Sequence, residues 1–455
     1  MNRRDEDYFV KRSVSEKKEE ANNTSTSNGN TRIRAGEKGS LPSDAKRRQQ
    51  VSYSQPKSFS PAEIKPRELT LKEKAKKMLF FERFDKPGSI DTVFLILLVM
   101  IISVGTVMSF SASYAYSEKT YGNSYQLIFN HVGVLLFAAL FLFLTAFSPP
   151  ELYKGFTYCL ALVSIILLIL VLFVGVVHNG AQRWIKFPGL PEFQPSEIAK
   201  LALVMLLALY MSGSSKKIES ENWKTSLIYG VGIPFSIFGV FAVLIYFEHH
   251  FSAIIIFFSI TVLMMFIGRT WIGWLIGLGL LGAAAIGGLI LFSDYATERL
   301  TMWRDPFAMA DDSGWQTVQG LYAIASGGLF GVGLGNSIQK FGYVSEPQND
   351  FIFTIVCEEL GFIGAFAVII LFALLIMRGF YIAKRAPNKY SYYLVMGLMI
   401  KLALQVAFNI AVVTNTFPNT GISLPFFSSG GTQLMLQMIE MGLVLSISRF
   451  STVNK

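Results

Sequence analysis

The sequence predicts an all-α integral membrane protein. It should have about ten transmembrane helices, a long extracellular loop between spans seven and eight, and a disordered cytoplasmic tail at the amino terminus. Three observations carry this. Hydrophobic residues make up 52% of the 455 residues and charged residues only 16%, with a mean hydropathy of +0.45, whereas a soluble domain carries roughly a quarter charged residues. Charge is also segregated: over residues 1–88 Lys and Arg outnumber Asp and Glu by 21 to 13, while over 89–455 the counts are 19 and 18. Finally, the apolar residues beyond position 88 fall into runs long enough to cross a bilayer. A balanced body excludes a basic nucleic-acid-binding domain. The only two cysteines, Cys159 and Cys357, lie far apart in apolar runs, which excludes a disulfide scaffold or zinc domain and reads them as small core hydrophobes.

The expected organisation is a basic cytoplasmic tail over 1–88, a membrane domain over 89–450 and a short cytoplasmic carboxy terminus over 451–455. The tail is polar, and its stretch Ala21–Asn30 (ANNTSTSNGN) is of low complexity. Such a segment cannot bury enough apolar area to offset its ordering entropy. No short apolar region with a cleavage site follows the first charges, so the tail is not a signal peptide. The mixed basic and apolar segment Leu69–Phe84 has two readings, an amphipathic helix on the inner leaflet or a solvated linker.

Ten spans follow at about 90–112, 127–147, 157–177, 196–212, 226–246, 252–268, 271–292, 351–377, 391–414 and 430–449. With the tail inside, the inner loops and the last residues carry eleven Lys and Arg and the outer loops six. The positive-inside bias then places both termini in the cytoplasm. The only long loops of the body, 178–195 and 293–350, fall outside. The second is rich in Gly, aromatic and apolar residues, a composition able to fold back into the outer leaflet or the bundle mouth.

Polar residues inside the spans mark function by default. Glu197 and Lys200 in span four are three apart and can pair, either as a structural ion pair or holding a substrate-facing group. Span eight opens on Asp350, with Thr354, Glu358 and Glu359 following. Together they suggest a polar lining, and Asp350 can line it, cap the helix, or do both. Span nine carries Lys401, Gln405 and Asn409 at four-residue spacing, and span ten carries Gln433, Gln437 and Glu440 on one face. Singly, each stripe reads as interhelical hydrogen-bond glue; together they predict a central hydrophilic cavity open to the outside. His131, His178 and His249–His250 show no metal-ligand spacing and read as interfacial or structural. No metal site is expected from the residues, and no nucleotide-hydrolysis or serine-nucleophile motif is present.

Four strings then carry a resemblance: GAQRWIKFPGLPEFQPSEIAK over 180–200, GWQTVQGLYAIASGGLFGVGLGN over 314–336, PQNDFIFTIVCEELG over 347–361 and TGISLPFFSSGGT over 420–432. Together they resemble the shape, elongation, division and sporulation family, the RodA/FtsW/SpoVE group, over essentially all of 85–450. The resemblance implies a ten-span peptidoglycan glycosyltransferase of the bacterial cytoplasmic membrane. Its members polymerise lipid II, a disaccharide-pentapeptide on undecaprenyl pyrophosphate, at the outer face. The family's catalytic aspartate falls on Asp350, its Glu–Lys pair on Glu197 and Lys200, and its arginine on Arg183. Gln348-Asn349 stands where many members have His-Thr. The long polar tail and the phrase SFSASYAYSEKTYGN point to the division branch, with elongation or sporulation as alternatives of the same chemistry.

Joining sugars requires a base for the acceptor hydroxyl and neutralisation of the leaving pyrophosphate. Asp350 is the expected base, and inversion at the donor carbon needs no covalent intermediate. The cations on the outer side are Arg183, Lys186, Lys200, Arg299 and Arg304, with the arginines favoured for bidentate phosphate contacts. Gln405, Asn409, Ser428, Gly430 and Gly431 complete the expected substrate-binding set. No particular cofactor follows from the sequence; a divalent metal can assist the pyrophosphate. The expected partners are lipid II, undecaprenyl pyrophosphate, a class B penicillin-binding transpeptidase and other division or elongation proteins, with no nucleic acid. Two rivals are a lipid II flippase, which would hold the aspartate near the midplane, and a recruiting scaffold indifferent to the polar lining.

Overall fold

The computed structural model describes residues 87–178, 181–186, 192–292, 300–310, 314–428 and 430–451. The tail, its segment Leu69–Phe84, Arg299 and the last four residues lie outside the described residues, so the boundaries expected there are not addressed by it.

Each of the ten expected spans is a helix: α1 (Thr92–Tyr121), α2 (Gln126–Phe147), α3 (Pro150–Val174), α4 (Pro195–Ile218), α5 (Trp223–Phe247), α6 (Phe251–Ile267), α7 (Ile272–Phe292), and then α9 (Ile352–Lys384), α10 (Lys389–Val413) and α11 (Gly431–Arg449). Between α7 and α9 stands a further helix, α8 (Trp315–Gly327). Seven of these are long and apolar enough to cross a membrane: α1, α2, α3, α4, α5, α9 and α10. Helix α6 and the first part of α7 are apolar but shorter. The sequence reading placed several ends too tightly, with α1 running to Tyr121 instead of 112 and α9 to Lys384 instead of 377.

Local chemistry explains the ends. The Asp91 side chain caps α1 by accepting from Phe94 N at 2.9 Å, and its carboxylate holds Arg378 at 2.8 and 3.0 Å. Pro150 and Pro195 occupy first-turn positions of α3 and α4, where a missing N–H costs nothing. Within α5 a wider turn spans Ile228–Gly232. Two carbonyls of this turn are met from outside, Tyr229 O by the Tyr210 hydroxyl at 2.6 Å and Gly230 O by the Thr270 hydroxyl at 3.2 Å.

The helices alternate in direction, and the chain returns to where it starts: Gly88 N donates to Arg449 O at 2.8 Å, and Asp91 N to Ser448 Oγ at 3.1 Å. The opposite end gathers the connections after α1, α3, α5, α7 and α10. There lie a two-stranded hairpin of β1 (Val176–His178) and β2 (Ala181–Trp184) and the segment leading into α9. Helices α4 and α10 form the centre, each with most of its length buried. Helix α11 packs against α2 so closely that a side chain at Gly442 would strike Thr145, the small-residue packing expected where lipid offers no hydrophobic drive.

Helix α9 is broken at Gly361, whose φ of 68° lies in the left-handed region. The segment after α8 enters this break. Val332 N donates to Glu358 O and Gly333 N to Glu359 O, while Phe362 N and Ile363 N donate to Gly328 O and Leu329 O. The segment 328–333 of the long loop therefore packs onto α9, toward the bundle and not the outer leaflet.

Candidate active site

A cavity of about 260 Å³ opens at the hairpin end of the bundle. It is lined by Arg183 and Trp184 from β2, Gln194, Glu197 and Lys200 around the start of α4, and His250, Ser252, Ala253 and Ile256 around the start of α6. Glu346, Asn349 and Asp350 come from the segment before α9, and Gln405 from α10. Residues 421–433 add Gly421, Ile422, Ser423, Ser428, Gly430 and Gln433. Three residues of this lining, Gln194, His250 and Gly430, are the N-caps of α4, α6 and α11, and Asp350 directly precedes Phe351, the N-cap of α9. Four helix amino ends thus converge on one cavity, and their dipoles favour negative charge there.

Asp350 is partly buried in this wall. Burial, reinforced by the neighbouring Glu346 carboxylate, pushes its carboxyl up to about 6. The backbone around it is fixed from two sides: Asn409 Nδ2 donates to Asp350 O at 2.7 Å and to Ile422 O at 2.8 Å, and Ser428 Oγ donates to Asn349 O at 2.8 Å. Gly421 faces the carboxylate with a φ of 67°, and a Cβ there would stand 3.6 Å from Asp350 Oδ2. Glu346 has a positive φ of 49° and accepts from Asn349 Nδ2 at 2.7 Å. The N-cap reading of Asp350 is corrected here: the helix begins at Ile352, and its N-cap is Phe351 without a side-chain cap.

On the α4 side, Lys200 Nζ donates to Glu197 Oε1 at 2.7 Å, with both side chains almost fully buried. Glu197 Oε2 has no partner among the described residues. Arg183 Nη2 donates to His249 O at 2.5 Å. Glu248, beside it, is fully buried with neither carboxylate oxygen hydrogen-bonded among the described residues, and burial pushes its carboxyl up to about 8 against the pull of Arg183. Burial, Arg183 and Lys200 together hold His250 well below the usual histidine range, so its imidazole is neutral.

Of the expected site residues, the structure brings together Arg183, Glu197, Lys200, Asp350, Gln405, Ser428 and Gly430. Asn409 stands behind the wall and acts through the Asp350 carbonyl. Gly431 opens α11 without lining the cavity, and Arg304 is exposed and away from the lining. Lys186 is an exposed partner of Glu192 at 3.5 Å.

The polar stripe of span eight is a correction. Thr354 bonds back to Phe351 O, while Glu358 accepts from Ser337 Oγ, Ile338 N and Gln339 N. Glu359 accepts from Ser111 Oγ and pairs with buried Lys340 at 2.9 Å. These carboxylates anchor the strap 331–340, not the cavity. Deeper in the bundle, Lys401 pairs with Glu440, and Gln437 Oε1 accepts from Phe426 N at 2.9 Å. Only Gln405 and Gln433 of the two remaining stripes reach the cavity.

His250, expected to be interfacial or structural, lines the cavity; Glu248 carried no signal in the sequence. Cys159, expected in the core, is exposed on α3, and only Cys357 is buried. His131 is buried in α2 as a structural group.

The architecture has counterparts. The family model for FtsW, RodA and SpoVE, described as "Cell cycle protein", matches residues 91–453. Stage V sporulation protein E of Bacillus subtilis is 36% identical over 373 residues, covering 80% of this chain and 99% of that protein. A probable peptidoglycan glycosyltransferase FtsW of Geobacter is 31% identical, covering 79% and 96%. Among solved structures, a peptidoglycan synthase complex that coordinates polymerization and crosslinking matches with a TM-score of 0.66 at 26% identity, over 79% of this chain and 98% of that one. The rod shape determining protein RodA of Thermus thermophilus matches with a TM-score of 0.58 at 26% identity, over 80% and 98%. With its cavity, its DFIF aspartate and a match along nearly the whole membrane body, this chain belongs to the FtsW/RodA/SpoVE family.

Proposed function

We propose that this chain is a peptidoglycan glycosyltransferase that polymerises lipid II at the outer face of the bacterial cytoplasmic membrane, with Asp350 as general base. The observation that carries the reading is Asp350 itself. A carboxylate titrating at about 6 is ionised at neutral pH yet more basic than a solvated one, the compromise a base needs. Asp350 Oδ takes the proton of the acceptor hydroxyl as that oxygen attacks the anomeric carbon of the donor, and the bond to the pyrophosphate breaks on the far face. Charge accumulating on the departing pyrophosphate meets Arg183, Lys200 and four helix amino ends. The position of Asp350, ahead of α9 at the end of the bundle, supports an enzyme over a flippase with a midplane aspartate.

Among the described residues no group of three or more His, Cys, Asp or Glu side chains is arranged to hold a metal ion. A divalent ion beside Asp350 and Glu346 would take its remaining ligands from the substrate diphosphate and water. Both termini are proposed to be cytoplasmic, with the cavity facing outward. The partner is proposed to be a class B penicillin-binding transpeptidase, and the role septal wall synthesis in division.

The test is purified protein incubated with labelled lipid II, with and without a transpeptidase partner. Glycan polymer from the parent and a fall of about 10²–10⁴-fold in Asp350→Asn support the reading. Parental polymerisation by Asp350→Asn would overturn the assignment of the base. For the septal role, depletion of the protein should give filaments that fail to divide; normal septa would reject it.

A further inference from the structure

The cavity is electrostatically two-sided. The charge acting on Asp350 is the Glu346 carboxylate, whereas the charges acting on His250 are Arg183 and Lys200. An acceptor hydroxyl belongs beside the carboxylates and a phosphate beside the cations. The cationic side holds a further polar group with no structural task. His250 lines the cavity, and its Nδ1 is buried without a hydrogen-bond partner among the described residues. As N-cap of α6 its side chain makes no capping bond, so the ring does not serve the helix. A buried ring nitrogen left unpaired carries a desolvation penalty and is tolerated where a ligand completes it.

The turn that aims the ring is itself built for the purpose. His249 adopts a positive φ of 55°, and its carbonyl accepts from Arg183 Nη2. That bond ties the guanidinium to the residue next to His250. The same turn ends in Glu248, whose burial leaves it largely uncharged near neutrality, so it does not cancel the positive character of this side. The remaining carboxylate there, Glu197, is engaged through Oε1 by Lys200.

We propose that His250 is a ligand-binding residue of the cavity, donating an imidazole N–H to a phosphate oxygen of the lipid-linked substrate alongside Arg183 and Lys200. This rests on the glycosyltransferase reading and names the residue that, with the two cations, holds the diphosphate end of donor and leaving group. A neutral donor suits a leaving group. It adds a directed hydrogen bond without a third fixed positive charge, which would hold the released diphosphate too tightly for turnover.

The probe is farnesyl diphosphate, a short prenyl diphosphate, titrated against the purified full-length protein. His250→Ala should bind it about tenfold more weakly, with raised KM for lipid II, whereas His250→Gln, which keeps a donor, should retain most of the affinity. Lys217→Ala, exposed at the opposite end of the bundle, should match the parent. A second measurement needs no variant: carbethoxylation of the parent's histidines by diethyl pyrocarbonate, read peptide by peptide. Farnesyl diphosphate should protect His250 and leave His249 reactive. Unchanged binding in His250→Ala, or no protection of His250 in a parent that polymerises, overturns the inference and leaves the glycosyltransferase reading standing. A parent that neither polymerises lipid II nor binds the diphosphate overturns both.

Discussion

Asn409 holds Asp350 by its backbone and not by its carboxylate: the Nδ2 protons reach the Asp350 carbonyl at 2.7 Å and the Ile422 carbonyl at 2.8 Å. One side chain thereby joins the segment before α9 to the loop before α11, and both border the cavity. Asn409→Leu keeps the volume and strands both carbonyls, at about 1–3 kcal/mol each. The carboxylate remains but loses its fixed position, and small misplacements of a catalytic group cost on the order of 10²-fold. The expected outcome is a kcat for lipid II polymerisation reduced by that order, with a milder change in KM. A kcat equal to the parent's would show that the loop is held by other means.

Asp350 carries a pH prediction of definite sign. Its carboxyl is raised from 3.8 to about 6, so the folded state binds the proton more tightly than the unfolded chain. Stability contributed by the protonated form is present below pH 4 and lost as pH rises through 6. At neutral pH the ionised carboxylate therefore costs up to about 3 kcal/mol. Asp350→Asn should melt higher than the parent at pH 7.5 and match it near pH 4. Polymerisation by the parent should rise through about pH 6 and level off above it. Equal melting temperatures at pH 7.5 would mean that solvent reaches the carboxylate.

Much of this was legible in the sequence because bilayers punish ambiguity. Ten apolar runs, the Glu197–Lys200 spacing and the DFIF string placed the helices and the principal carboxylate. The polar stripes misled at Glu358 and Glu359. Periodicity reports that residues share a helical face, not what that face meets, and the strap that enters the break at Gly361 covers theirs. His250 and Glu248 were invisible for a related reason. They sit in a turn between helices, and only the folded chain shows that this turn borders β2 and the start of α4.

The Glu197–Lys200 pair lines the cavity with both side chains nearly out of water. Removing one partner strands the other charge, at a cost of about 3–5 kcal/mol. Glu197→Ala and Lys200→Ala should each lower the melting temperature sharply. A joint Glu197→Leu, Lys200→Met replacement should regain much of the stability while polymerisation stays low, because Lys200 lines the cavity. Recovery of activity together with stability would reduce the pair to a structural role.

The direction of the bundle in the membrane has its own check. Lys217 near the end of α4 and Ser345 ahead of α9 are both exposed and at opposite ends of the bundle. In a parent with Cys159 and Cys357 replaced by Ser, Ser345→Cys should react with an impermeant thiol reagent in intact cells and Lys217→Cys should not. Equal reactivity would reject the proposed orientation.

The strap supplies the last prediction. Lys340 is almost fully buried; its ammonium pairs with Glu359 at 2.9 Å and donates to Gly335 O at 2.6 Å and to Ser111 Oγ. Glu358 binds the same strap through Ser337 and Ile338. Nine residues separate Lys340 from Asp350, and that stretch contains the strained Glu346. Lys340→Met leaves the Glu359 charge buried with only Ser111 and Ser337 N to meet it, at about 3–5 kcal/mol. Thermal melts should show the loss, and polymerisation measured below the transition should also fall, since the strap sets the entry of the chain into the cavity. Joint Lys340→Met, Glu359→Leu replacement removes both charges and should restore most of the melting temperature, because an apolar pair of similar volume avoids the desolvation cost. Activity should return only in part, as the ammonium's bonds to Gly335 and Ser111 are gone. Single variants as stable and as active as the parent would detach the strap from the working of the site.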